Sequence, residues 1–317
     1  MNSKSILNKT PLGFNWSTRD PFIYWVHHKD HYPQGNAQLG PNASLAGRYL
    51  GNDFTLKDGW RMYHGETVPG FPAHPHRGFE TITIVLNGFV DHSDSLGAAG
   101  RYGNGDVQWM TAGKGIQHSE MFPLLNQNET NLTELFQIWL NLPKSKKFSN
   151  PFYKMFWAED IPKYFEKGKE GNDVEILVIA GKIGKVEAIS PPPDSWAFDK
   201  SNDVNIWLIK LNPFAQFNIP ASTVGLNRFL YFYIGDEITI DEEKIESYHS
   251  VELISNKEIG ITNGASVSNL LFLQAKPIQE PVVQHGPFVM NTQEEIQQTF
   301  DDYRATQFGG WPWQRYD

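Results

Sequence analysis

His74-Pro75-His76-Arg77-Gly78-Phe79-Glu80 is followed, after one strand–loop–strand interval, by His118-Ser119-Glu120. Histidines two positions apart on a strand project to one face. A His-x-Glu pair returning on a neighbouring strand can complete a ring of nitrogen and oxygen donors. An antiparallel barrel can hold a single metal ion in this way, so the pattern reads as a mononuclear metal site on a β-fold. His-x-His alone recurs by chance in strands. The specific signal is that pair with a nearby glutamate and a later His-x-Glu, all bounded by glycines.

The rest of the chain fits an all-β reading. Short apolar or alternating runs recur at residues 81–86, 137–142, 174–180, 205–209, 228–234 and 270–273, broken by Gly, Pro and Asn. Such spacing points to sandwiches or barrels. One helix is expected near the end. Thr292-Gln293-Glu294-Glu295 has the capping-box pattern, Ile296, Phe300 and Tyr303 form an apolar stripe, and Gly309-Gly310 should lie beyond its end. Residues 144–172 are rich in charge and proline and read as an inter-domain connection. The expected domains are 1–160, carrying the metal, and 161–317, with the helix and tail. A weak repeat relates them: sliding Gly88 onto Gly235 carries His74 to Ala221, His76 to Thr223 and Glu80 to Asn227. The second copy should keep the barrel and lack the donors.

Composition narrows the chemistry. The 317 residues include no cysteine, which excludes disulfides, thiolate zinc sites, iron–sulfur clusters and a cysteine nucleophile. Any metal must be held by histidine, carboxylate, carbonyl or water. The net charge is -9, and the one basic cluster, Lys144, Lys146 and Lys147, is too small to track phosphates. Direct nucleic-acid binding is therefore not expected. No run is long enough to span a bilayer, and the first residues, Met1-Asn2-Ser3-Lys4, open no signal-peptide-like run. A cytoplasmic location without membrane attachment is the expectation.

Residues 70–80, closing at Gly88, resemble the first cupin motif, and residues 105–121 resemble the second. In detail the strings HPHRGFET and GDVQWMTAGKGIQHSEMF are similar to the pirin family, a branch of bicupins. Asp20-Pro21-Phe22, His27-His28, Asp30-His31-Tyr32-Pro33 and the closing stretch from Tyr303 to Phe308-Gly309 are pirin-like too. The resemblance implies two cupin barrels (double-stranded β-helix, or jelly roll) with a short C-terminal helix. It implies His74, His76, His118 and Glu120 as metal ligands, and Fe(II) as the metal. Zn, Mn, Ni and Cu are alternatives that the donor set admits. It also implies quercetin 2,3-dioxygenase-type chemistry on a small aromatic such as a flavonol. The alternative is a metal- or redox-dependent regulatory role with a protein partner, as for transcriptional coregulators. Glu80 stands where many other cupins place their carboxylate ligand, and here it is a candidate to orient a metal-bound imidazole. Glu120 is also the candidate base for a substrate hydroxyl.

Other residues are assigned to the fold. His27, His28, His31 and His64 read as loop or packing residues. His92, in Asp91-His92-Ser93-Asp94, reads as a polar strand end without a catalytic role. Trp109, Phe136 and Trp139 could line a planar pocket, with core packing as the simpler assignment. Gly309-Gly310-Trp311-Pro312-Trp313 offers no catalytic side chain.

Overall fold

The computed structural model describes residues 4–13, 16–168 and 171–314. Strands dominate, and among the described residues there is one α-helix, Gln293–Thr306. The chain forms two compact units, Val26–Ala158 with Glu280–Asp317, and Met1–Trp25 with Glu159–Gln279.

A single cut at residue 160 therefore describes only the middle of the chain. The first strand, Ile6–Pro11, pairs antiparallel with His249–Leu253, extending a sheet of the second unit. The C-terminal helix, expected with that unit, belongs to the first instead. Residues 144–172 are not a bare connection either. Phe152–Phe156 pairs with Val107–Thr111, and Lys163–Glu166 pairs with Val174–Ala180. Their charge and proline content hid two edge strands, where such residues are tolerated. Of that stretch, Lys169 and Glu170 lie outside the described residues, as do Met1, Asn2 and Ser3.

The metal-motif unit is built on two sheets. One has the strand order Phe152–Phe156, Val107–Thr111, Phe79–Asn87, Asn131–Asn141, Phe22–Tyr32. The other runs Gly70–His76, Ile116–Met121, Phe89–Asp94, Ala99–Gly103. The register is antiparallel, with Thr83 opposite both Gln108 and Gln137 and His74 opposite His118. Alternation then sets the faces. Thr81, Thr83, Gln137 and Trp139 share one face. Glu80, Ile82, Trp109, Phe136 and Ile138 share the other.

The corner between the two sheets depends on Gly78. Its φ is +86°, a left-handed conformation that glycine adopts at low cost. A Cβ there would stand 2.0 Å from the Val289 carbonyl oxygen. Gly78→Ala is expected to lower stability by about 2 kcal/mol, measured by urea unfolding. An unchanged midpoint would show that this corner relaxes freely.

The helix follows its sequence signals. The Thr292 hydroxyl accepts from Glu295 N–H at 3.2 Å, and Glu295 Oε2 accepts from Thr292 N–H at 3.2 Å. Ile296, Phe300 and Tyr303 pack on Phe288 and Met290. The helix stops at Thr306, before Gly309-Gly310.

The second unit has a seven-stranded and a four-stranded sheet. Its strand Asn227–Ile234, Gly235 at φ +133° and strand Glu237–Ile240 reproduce the Phe79–Asn87, Gly88, Phe89–Asp94 unit. The interior between its sheets is filled by buried apolar side chains, among them Ile176, Trp207, Phe217, Leu230, Phe232 and Phe272.

Candidate metal centre

Strand Gly70–His76 has a register shift between Phe71 and His74 as it pairs with Ile116–Met121. Beyond the shift, His74 and His76 point to the same side as His118 and Glu120. The three imidazoles meet with ring centroids 4.5–4.9 Å apart. One ring nitrogen from each lies within 4.8 Å of the others, the one such cluster of three among the described residues. Glu120 Oε2 is 3.7 Å from His118 Nε2. The four residues predicted as ligands thus converge, although the compact trio is histidine and the glutamate approaches from beside it.

The donors are in the right chemical state. His74 Nδ1–H donates to the Pro72 carbonyl at 2.8 Å, which fixes the tautomer and leaves Nε2 with its lone pair. Burial lowers the pKa of His74 to about 4, and those of His76 and His118 well below the usual range. All three are neutral at physiological pH, as a metal ligand must be. Both ring nitrogens of His118 are buried without a hydrogen-bond partner. Each such orphan costs roughly 1–3 kcal/mol. A cation taking the lone pair of the unprotonated nitrogen offsets one of these costs, so this donor set fits a divalent ion.

Glu120 is 2% exposed. Burial raises its pKa, while hydrogen bonds from Thr83 and Gln137 oppose the rise. Thr83 Oγ1 donates to Oε1 at 3.0 Å, and Gln137 Nε2 donates to Oε2 at 2.7 Å. Both donors come from the opposite sheet, so the carboxylate is held from across the barrel. Neither residue was singled out in the sequence, because nothing local links positions 83, 120 and 137.

Glu80 accepts from Thr111 Oγ1 at 2.6 Å and lies on the strand face opposite Thr83. The Gly78 corner separates the His-x-His pair from residue 80, and strand parity does not carry across it.

The aromatic candidates divide in the same way. Trp139 faces the cluster, with its ring 5.5 Å from that of His76 and 4.3 Å from Phe79. Trp109 and Phe136 lie on the other face, buried in the core. His27 and His28 are packed with Glu134 and Tyr63, as expected of structural histidines. His92 borders the cluster. It is opposite Glu120 in the register, its ring is 5.6 Å from that of His118, and it stacks on Tyr153. Its Nε2 is 3.1 Å from Asp94 Oδ2, while Asp94 Oδ1 accepts from Leu96 and Ala98 N–H. His92 is thus a fixed wall of the site.

Access is narrow. His76, His118 and Glu120 are buried, and His74 is half-buried. A pocket of about 370 Å³ opens beside Gln38, Leu39, Asp91, Ser93, Ser119 and Met121, and His92 also touches it. By strand alternation Asp91, Ser93, Ser119 and Met121 face away from the histidines, so this pocket lies behind their sheet.

Family models match both halves of the chain, Pirin over residues 19–140 and the Pirin C-terminal cupin domain over 206–309. Pirin-1 of Arabidopsis thaliana is 38% identical over 76% of this chain and 78% of its own length. Pirin of Homo sapiens is 36% identical over 78% of this chain and 80% of its own. A Pseudomonas aeruginosa relative, whose name provisionally assigns it to the quercetin 2,3-dioxygenases, is 36% identical over 75% and 79%. In fold, the crystal structure of quercetin 2,3-dioxygenase from Acinetobacter baumannii superposes with a TM-score of 0.75 at 24% identity, covering 97% of this chain and 99% of that one. With both barrels matched and its histidine cluster formed, the chain belongs to the pirin family.

Proposed function

We propose that the protein holds one divalent metal ion, Fe(II) in its working state, at His74, His76, His118 and Glu120, and oxygenates a small electron-rich aromatic, a flavonol such as quercetin. The observation that carries this reading is the neutral three-histidine cluster with its orphaned His118 nitrogens and a buried carboxylate 3.7 Å away. The provisional name of the Pseudomonas relative supports the substrate class. A ferrous ion in this setting would supply Lewis acidity toward a phenolate and one-electron chemistry toward dioxygen.

The chain's own residues have separate tasks. The imidazoles hold the ion and, being neutral, leave it with net positive charge. Glu120, its affinity for a proton raised by burial, takes the proton of an arriving hydroxyl. Thr83 and Gln137 keep that carboxylate aimed into the barrel. Trp139 and Phe79 offer flat apolar walls to an aromatic ring and keep water out.

One observation favours a second reading. The burial of His76, His118 and Glu120, with the described pocket behind their sheet, suits a metal-dependent binding protein whose site is sensed rather than entered by a large substrate.

Anaerobic loading with Fe(II), followed by oxygen and a panel of flavonols and catechols, separates the two. Oxygen uptake and bleaching of a flavonol above the rate of free iron are expected. Glu120→Gln should keep the fold and lose at least about tenfold in turnover, and zinc-loaded protein should be inactive. No uptake above free iron with any of the panel overturns the oxygenase reading and leaves metal-dependent partner binding in its place.

A further inference from the structure

The mechanism leaves the end of the chain unused, yet this segment grips the site from three directions. Arg77 directly follows His76. Its N–H donates to the Pro287 carbonyl at 3.3 Å, and its own carbonyl accepts from Val289 N–H at 3.0 Å. Its guanidinium donates from Nε to the Lys114 carbonyl at 2.7 Å and from an Nη to Asp302 Oδ2 at 2.7 Å, and it lies 4.4 Å from the centre of the Phe308 ring. Gln117 directly precedes His118. Its amide donates to the Gln307 carbonyl at 2.7 Å and accepts from Tyr303 Oη at 3.1 Å. Asp94, paired with His118 in the sheet, receives Trp313 Nε1–H on its carbonyl at 2.8 Å.

Strand alternation turns the Gln117 side chain away from the donor cluster, and the Arg77 guanidinium is engaged by Lys114, Asp302 and Phe308. The grip therefore acts through backbone position and not by contact with an ion. Its target is also poorly accessible, since His118 is fully buried and His76 nearly so. A metal ion exchanging at these nitrogens must pass buried side chains.

We propose that residues 280–314 form a strap that locks the His76 and His118 strands in ligating register and limits metal exchange, with Arg77 as its central positioning residue. The inference rests on the metal reading of the four donors. It adds that occupancy of the site and docking of the strap are coupled. Such coupling is reciprocal: whatever factor strap release takes from metal affinity, metal binding returns as strap protection.

Two measurements with Co(II) as the probe test it. In the full-length Asp302→Ala/Tyr303→Phe variant, which removes one bond to Arg77 and one to Gln117 from the helix side, transfer of cobalt to a chelator should be about tenfold faster than in wild type, with circular dichroism unchanged. In wild type, cobalt loading should slow amide exchange in a peptide covering residues 293–308. An unchanged release rate in the variant, or unchanged exchange on loading, overturns the strap. Failure of wild type to bind cobalt at all instead removes the metal reading itself, so the two failures are told apart.

Discussion

Replacing His118 by alanine is expected to cost the protein nearly all of its bound metal, with affinity falling by about a hundredfold or more. The ring packs against both His74 and His76, and it is the imidazole with both nitrogens orphaned. The effect on stability should differ between forms. In apo protein the substitution removes two buried unsatisfied nitrogens along with the ring's packing, so its net cost should be small. In the presence of metal at a hundred times the dissociation constant, wild type gains about 2.7 kcal/mol by mass action, and the variant should gain none. Thermal melts with and without metal, together with metal analysis after dialysis, read both effects. A variant that retains one metal per chain would show that His118 is a core residue and not a ligand.

The second large effect is expected at Lys147, which the sequence offered only as part of a surface basic cluster. It is 1% exposed, and its ammonium donates to the Gly78 and Val289 carbonyls and to Asn141 Oδ1, at 2.8, 3.0 and 2.8 Å. It therefore ties the Gly78 corner, two residues past His76, to Val289, a few residues before the C-terminal helix. Lys147→Met leaves three acceptors without this donor and should lower stability by about 3 kcal/mol at neutral pH. Burial also lowers the pKa of the folded lysine to about 8, against 10.5 for the free side chain. Between those values the unfolded chain binds more protons than the folded one, so this group makes wild type more stable as pH rises from about 8 to about 10.5. The stability gap between wild type and Lys147→Met should widen across that window. Urea unfolding at pH 7.5 and pH 10 measures it, and a gap that narrows would mean that the lysine is stabilised as a cation by its partners.

The legible and illegible parts of this molecule divide along a physical line. Features that need only local spacing were legible. The shared faces of His74 with His76 and of His118 with Glu120 rely on a period of two along one strand, and the helix at Gln293–Thr306 relies on a cap and a stripe. Features that depend on which strand pairs with which did not appear. Thr83 and Gln137 reach Glu120 only because their sheet faces the one that carries it. His92 becomes a wall of the site only through its register with Glu120. The bond from Thr111 to Glu80 crosses between paired strands in the same way, past the left-handed turn at Gly78. The partners of Arg77 and Gln117 lie about two hundred residues away, on the helix and the turn after it, where no local pattern points to them.

In the proposed function, four side chains from two neighbouring strands bind one metal ion in one barrel. Anomalous diffraction at the cobalt edge, from crystals grown with Co(II), tests it most directly. The account predicts one strong peak per chain, between His74, His76, His118 and Glu120, and none within the apolar barrel of the second unit. A map with no peak at those four side chains, or with its strong peak elsewhere, would contradict it.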